Sequence, residues 1–254
     1  LNKIISLDEK SITIESGLKY GDFCADLNEK GFSFHNLASL PHISVVGACA
    51  TATHGSGVRN GNLATAVSAV EFVSGTGELV TLAKSKDGDK FNGAIVNLGG
   101  LGIVTKITLE TEKTFQVRQD CFQNLSLEEL SLNFESIISS GYSVSLLTDW
   151  QEPLINQIWI KSRLDKEFTE FDYEFFGAKK CTKNIHPIDG VSAENCTEQL
   201  GVAGNWFERL PHFKMGFTPS VGEELQSEYF VAKENAVEAI FALEKICHQI
   251  APQL

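Results

Sequence analysis

The residues best suited to chemistry lie in one stretch, Ser44-Val-Val-Gly47-Ala-Cys-Ala-Thr51-Ala-Thr53-His54-Gly55-Ser56-Gly57-Val-Arg59-Asn60-Gly61. Almost every side chain from Gly47 to Gly57 is small, so the stretch buries little apolar area for each residue it orders. What small residues offer instead is close backbone approach, with amide N–H groups turned toward an acceptor-rich ligand. A tightly packed helix–loop joint with no ligand is the competing reading. His54 is likewise either a general base or a structural ring between Thr53 and Gly55. A second glycine cluster, Leu98-Gly-Gly-Leu-Gly-Ile103, joins a helical segment to a strand and lets backbone run beside backbone or ligand.

The elements that must position these stretches follow from periodicity. Ile4 to Leu7 and Ser11 to Glu15 alternate as strands around the Asp8-Glu9-Lys10 turn. Tyr20, Phe23, Cys24 and Leu27 recur at helical spacing, Gly31 supplies a left-handed stop, and Phe32 and Phe34 alternate as a strand. Val67 to Ser74 and Leu79 to Ala83 make a hairpin through Gly75-Thr-Gly77. Asp87 is placed to cap a helix with Phe91, Ile95 and Leu98 on one face. Strands are expected at Ile103 to Leu109, Phe115 to Phe122, Tyr142 to Leu147, Gln157 to Lys161 and Leu225 to Val231. Amphipathic helices are expected from Leu127 to Ile138 and from Lys233 to Ile250. The stretch from Arg163 to about Asn205 reads as an irregular excursion. Hairpins and crossovers together give an α+β chain, with two subdomains meeting near residue 115.

Composition removes whole classes of function. With 21 Lys+Arg against 33 Asp+Glu, the net charge is −12 and no basic run exists, so no nucleic-acid partner is expected. No apolar run is long enough to span a membrane, and no signal peptide is visible, so neither a membrane partner nor export is expected. The six cysteines form no C-x-x-C pair and do not stand beside histidines at zinc spacing, so no metal is expected. Scattered cysteines in apolar segments read as reduced thiols, which fits a cytoplasmic location. G-x-x-x-x-G-K-[ST], G-x-G-x-x-G after a strand, G-x-S-x-G and H-E-x-x-H are all absent.

Taken together, Val46-Gly-Ala-Cys-Ala-Thr-Ala-Thr-His-Gly-Ser-Gly57, Gly61-Asn-Leu63-Ala64, the Gly75-Thr-Gly77 hairpin and Leu98-Gly-Gly-Leu-Gly-Ile103-Val-Thr105 resemble the vanillyl-alcohol-oxidase superfamily with its PCMH-type FAD-binding domain. Tyr142 to Trp150, Asn195 to Gln199, Glu208 to Phe213 and Glu224 to Tyr229 extend the resemblance to the alditol oxidases, with the aldonolactone oxidases as cousins. The resemblance implies an FAD cofactor. It also implies the second subdomain of a PCMH-type domain over residues 1–114, and part of an α+β substrate (cap) domain over 115–254. Gly47, Ala48, Thr51, Thr53, Gly55, Gly57, Asn60, Gly61, Leu63 and Ala64 match the strip beside the cofactor, and Ile103 a residue near its adenosine end. Since Arg59 is the only cation in the strip, neutral backbone donors would carry most of the recognition of the pyrophosphate. Ser56 matches a residue at the flavin ring that also meets substrate, and Gln226 one that hydrogen-bonds a polyol. Gln226 also reads as a simple surface amide.

The implied reaction passes a hydride from a carbinol of a polyol or sugar lactone to flavin N5, with O₂ reoxidising the flavin to give H₂O₂. The family's catalytic Glu-x-Arg has no counterpart before Leu254, and its cofactor loop with the flavin-linking histidine has none after Leu1. No catalytic residue is therefore expected in this stretch, and activity is expected of a complete protein. The alternative is a non-catalytic flavin- or nucleotide-binding fragment. A stretch truncated at both ends also predicts open sheet edges through which copies associate.

Overall fold

The computed structural model describes residues 1–217 and 226–253. They form two compact units. The first comprises Leu1–Val117 with Asn195–Thr197 and the stretch that begins at Ala203. The second comprises Arg118–Glu194 with Glu198–Val202 and the described residues from Gln226 onward.

The first unit is built on a five-stranded antiparallel sheet from β1 (Ile4–Leu7), β2 (Ser11–Glu15), β4 (Val67–Val73), β5 (Leu79–Ala83) and β6 (Ile103–Glu110), in the order β1-β2-β6-β4-β5. A separate two-stranded pair joins β3 (Phe32–Ser33) to β7 (Glu112–Lys113). In β2 the alternation seen in the sequence is literal, with Ile12 and Ile14 wholly buried. In β4 the buried residues are Val67, Val70 and Phe72, because the register against β6 slips between Val67 and Ala69 and moves the inward set by one position. Glu71 stands opposite Lys106 in that pairing. Its carboxylate accepts from Thr105 Oγ1 at 2.7 Å and Lys106 Nζ at 3.1 Å, which hold it below the usual carboxylate range.

Helix α1 (Tyr20–Glu29) buries Tyr20, Phe23, Cys24 and Leu27, the periodic set. Phe34 stacks edge-on against Tyr20, Phe23 and Trp206 with centroids 5.8–6.0 Å apart. Trp206 opens α5 (Trp206–Arg209), just after β13 (Gly204–Asn205), which pairs with residues 116 and 117.

One element of this unit went unread, and two expectations need correction. The small-residue stretch opens with a short helix, α2 (Val45–Ala50), whose amide at Gly47 donates to the Ser44 hydroxyl. Helix α3 (Lys84–Ile95) begins three residues before Asp87 and is broken at Gly88 (φ 48°), and the Asp87 carboxylate accepts from the Ala83 amide at 2.8 Å, inside the first turn and not ahead of it. Leu98 lies beyond the helix, in the left-handed region at φ 51° and 77% exposed, so it is no part of the apolar face.

The second unit carries the strand order β11-β12-β8-β10-β9, formed by β8 (Gln116–Ser126), β9 (Ser143–Leu147), β10 (Leu154–Arg163), β11 (Glu174–Phe175) and β12 (Ala178–Lys180). One face of this sheet is apolar: Phe122, Ile158 and Ile160 pack with Leu127, Leu130 and Ile137 of α4 (Leu127–Ile138). Alternation puts Gln157, Trp159 and Lys161 on the other face, all buried. Gln157 Nε2 donates to the His186 carbonyl at 2.8 Å, and the Gln199 amide exchanges two hydrogen bonds with the backbone of Ile185. Side-chain amides thus hold the excursion around Ile185 and His186, while the β11–β12 hairpin ties its middle to β8.

The expected strand from Leu225 to Val231 starts outside the described residues, and 226–232 form no strand. Tyr229, Phe230 and Val231 are all exposed, so no sheet face buries them. The expected helix from Lys233 to Ile250 is broken into a short 3₁₀ turn, α6 (Ala236–Glu244) and α7 (Cys247–Ile250).

Lys161 is 2% exposed, and burial pushes its amine down to about 7. Above that value the folded chain holds fewer protons than the unfolded one at this site, so stability rises with pH from about 7 upward. Lys161→Met is therefore expected to remove a slope of about 1.4 kcal/mol per pH unit between roughly pH 7 and 8.5. Paired denaturant titrations of the two proteins at several pH values check this; parallel curves would refute it.

Candidate functional site

The strip begins on α2 and leaves it as an irregular loop from Thr51 to Asn62, followed by a 3₁₀ turn at Leu63–Ala66. Ala52 sits in the left-handed region at φ 56° and Gly57 at φ 119°, two turns that swing the loop away from the helix axis. Thr53 re-anchors it: its amide donates to the Ala48 carbonyl at 2.9 Å, and its own carbonyl accepts from the Leu63 amide at 2.8 Å. Leu63 and Ala64 are buried and fix the exit of the loop, while Gly47, Thr51 and Gly61 are exposed.

Several of the loop's carbonyls are used within the chain. Ser56 O accepts from Asn36 Nδ2 at 3.2 Å and from Asn60 Nδ2 at 3.0 Å. Gly57 O accepts from the Asn60 amide at 3.0 Å. Gly55 O accepts from His54 Nδ1 at 2.8 Å, which places the proton on Nδ1, because a carbonyl can only accept. Gly61 O accepts from His35 Nε2 at 3.5 Å, and burial keeps the His35 ring below its ordinary value and neutral at pH 7. The amides of Gly55, Gly57, Val58 and Gly61, by contrast, donate to no described group. A loop with these four amide donors left over is suited to an acceptor-rich ligand.

Asn36 is the clamp of this arrangement. It is 2% exposed, accepts from the Leu37 amide at 2.9 Å through Oδ1 and reaches Ser56 through Nδ2. Asn36→Ala is expected to cost about 1–3 kcal/mol, since it strands the buried Leu37 amide and takes one of two donors from the Ser56 carbonyl. Thermal denaturation followed by circular dichroism measures it, and an unchanged midpoint would show that the clamp is dispensable.

The structure brings most of the strip residues into one segment. Gly47 lies on α2, Thr51 Oγ1 touches Thr53 Oγ1 at 3.2 Å, and Asn60 ties back to Ser56. The second glycine cluster is drawn to the same place: the Leu98 amide donates to the Ala50 carbonyl at 3.0 Å. Ile103 opens β6 and is 72% exposed. Gln226 is exposed in an extended segment of the second unit. His54 serves the loop through its own ring, which favours its structural reading. Sequence reasoning missed His35 and Asn36, and only their position before the strip hints at a role. Among the described residues no cluster of His, Cys, Asp or Glu could hold a metal ion, and no helix is long and apolar enough to cross a membrane.

Comparison with known proteins gives these features relatives. The sequence model of a family described as FAD binding domain matches residues 1–83. The chain is 45% identical over 245 residues to an alditol oxidase from Streptomyces sp. (strain IKD472 / FERM P-14339), covering 96% of this chain and 57% of that protein. It is 29% identical over 138 residues to L-gulonolactone oxidase of Mus musculus, covering 54% of this chain and 31% of that protein. A D-arabinono-1,4-lactone oxidase of Candida albicans is 27% identical over 238 residues, 90% of this chain and 39% of its own length. The chain thus spans at most a little over half of these relatives. Among solved structures, a cholesterol oxidase from Brevibacterium sterolicum shares the fold at TM-score 0.55 and 17% identity, over 65% of this chain and 34% of that one.

Proposed function

We infer, for a chain that belongs to the PCMH-type FAD-binding oxidase superfamily with an alditol oxidase-like sequence, that it is the cofactor-contacting part of an FAD-dependent oxidase of alditols or sugar lactones. The observation that carries this reading is the loop from Thr51 to Asn62, whose amides at Gly55, Gly57, Val58 and Gly61 donate to no described group.

The residues present fit the group. FAD, when bound, supplies a hydride acceptor and a site for reaction with O₂. Gly47, Thr51, Thr53, Gly55, Gly57, Asn60 and Gly61 would hold it along the strip, with Ala48, Leu63 and Ala64 packing beneath and Ile103 near the adenosine end. Neutral donors suit an anion here because the segment contains only Arg59 as a cation, and that side chain is exposed. Asn36 and Asn60 hold Ser56 from both sides through its carbonyl, so Ser56 can be presented to substrate without movement of the backbone. Gln226 is proposed as a polyol ligand from the second unit. The two units would correspond to the cofactor part and the substrate part. A cytoplasmic location is proposed because all six cysteines are thiols.

The test is peroxide release by the FAD-supplied protein with xylitol or sorbitol, set against an aldonolactone. Release with a polyol supports the alditol branch, and release with the lactone alone moves the reading to the lactone oxidases. Silence with both, while FAD is taken up, favours a flavin-binding fragment without activity of its own.

A further inference from the structure

We propose that Cys121 and Cys181 are the two halves of a reversible cross-strand disulfide, a covalent modification site in the second unit that is reduced in this structure. The pairing of β12 with β8 sets Lys179 opposite Gln123 and Lys180 opposite Phe122. The next step of that register sets Cys181 opposite Cys121, and the Cys181 amide donates to the Cys121 carbonyl at 2.8 Å. Residues opposed in this way project from the same face, with Cα atoms about 5.5 Å apart. That Cα spacing falls inside the roughly 4.4–6.8 Å range of disulfides. The Cβ atoms of a hydrogen-bonded pair, about 5.5 Å apart, must close by about 1 Å, a shift a short strand at the sheet edge can make.

The surroundings suit the bond as well as the spacing does. Both thiols are buried, Cys121 at 1% and Cys181 at 8% exposure, so a bond formed there is shielded from exchange with other thiols. Cys181 follows the last residue of β12, and the β11–β12 hairpin lies at the edge of the sheet, where opening a short strand exposes one sulfur at modest cost. Burial pushes the Cys181 thiol up to about 11, so the thiolate that attacks forms when the short β11–β12 hairpin opens to water.

The oxidant is a peroxide. The Cys181 thiolate takes one oxygen as the O–O bond breaks, giving a sulfenic acid and water. The Cys121 thiolate then attacks that sulfur; the S–S bond forms, the S–O bond breaks, and hydroxide leaves to become water. Two thiols and one peroxide give one disulfide and two waters. The bond does not depend on the flavin reading, since added peroxide suffices.

Hydrogen peroxide is added to the native protein, which is then quenched, denatured in N-ethylmaleimide and mapped by mass spectrometry. The expected result is loss of two of the six alkylatable thiols, one linked peptide pair containing Cys121 and Cys181, a higher thermal midpoint, and full reversal by dithiothreitol. Cys181→Ser, at the less buried position, and Cys121→Ala are each expected to abolish the linked pair. The proposal is overturned if the linked peptides come from other cysteines. It is equally overturned if Cys247, the cysteine that is not fully buried, oxidises while Cys121 and Cys181 are recovered alkylated.

Discussion

Gly55→Ala is expected to weaken FAD binding about thirty-fold or more, ~2 kcal/mol, while the five-stranded sheet stays folded. A Cβ at this position would overlap the Leu37 carbonyl oxygen and stand 2.8 Å from both Nδ2 and Oδ1 of Asn36. Those are the atoms that clamp Ser56 and receive the Leu37 amide, so the added methyl cannot be absorbed by a flexible side chain. The loop must move outward, and the donors it presents move with it; a displacement near 1 Å is enough to spoil several hydrogen bonds at once. Val58→Ala, on an exposed side chain of the same loop, is the matched control and is expected to bind FAD like the parent. Flavin fluorescence titration of the three proteins decides the matter, and equal affinity in all three would remove Gly55 from the site.

Gly102→Ala is expected to have the largest effect on stability. Gly102 adopts φ 127°, and a Cβ there would overlap the Val73 carbonyl oxygen and lie 3.1 Å from Ser74 Cα. Both penalties fall on backbone, which cannot rotate away, so a loss of about 2–4 kcal/mol follows. For a chain of this size that corresponds to a fall of roughly 5–15 °C in thermal midpoint. Gly77→Ala offers the contrast: its φ is 83°, but nothing lies within 4 Å of the added methyl. It should therefore cost about 1–2 kcal/mol from backbone strain alone. If the two variants melt together, close packing at Gly102 is not the reason for glycine there.

What could be read from the sequence divides along physical lines. Strands β2 and β5 and helices α1 and α4 announce themselves because their burial is one-sided and their neighbours in space repeat the same local pattern. Helix α2 has no such stripe; it buries Val45, Ala48 and Cys49, residues too small to stand out, and only the Ser44 cap marks it. Leu98 belongs by spacing to the face of Phe91 but is turned out by a left-handed backbone tied to Ala50. The stretch from Glu228 to Val231 is rich in strand-forming Tyr, Phe and Val, yet every side chain in it is exposed. Propensity is a local signal, and a strand needs a partner.

The glycine strip stands out in the sequence as a candidate ligand-facing segment, because a run of small residues buries little apolar area for each residue it orders. The means by which it is held were not. His35 and Asn36 precede it by many residues and carry no motif, yet they receive or supply the bonds that fix Gly61, Ser56 and Leu37. Such tertiary clamps leave no periodicity behind.

The central claim is that the loop from Thr51 to Asn62 is a flavin-binding surface. Titration of the chain with FAD, followed by quenching of flavin fluorescence and by the absorbance of protein freed of unbound FAD on a desalting column, tests it most directly. Saturable quenching at one FAD per chain, with yellow protein that Gly55→Ala does not retain, is the predicted result. Colourless protein with no quenching at any FAD concentration would contradict the claim.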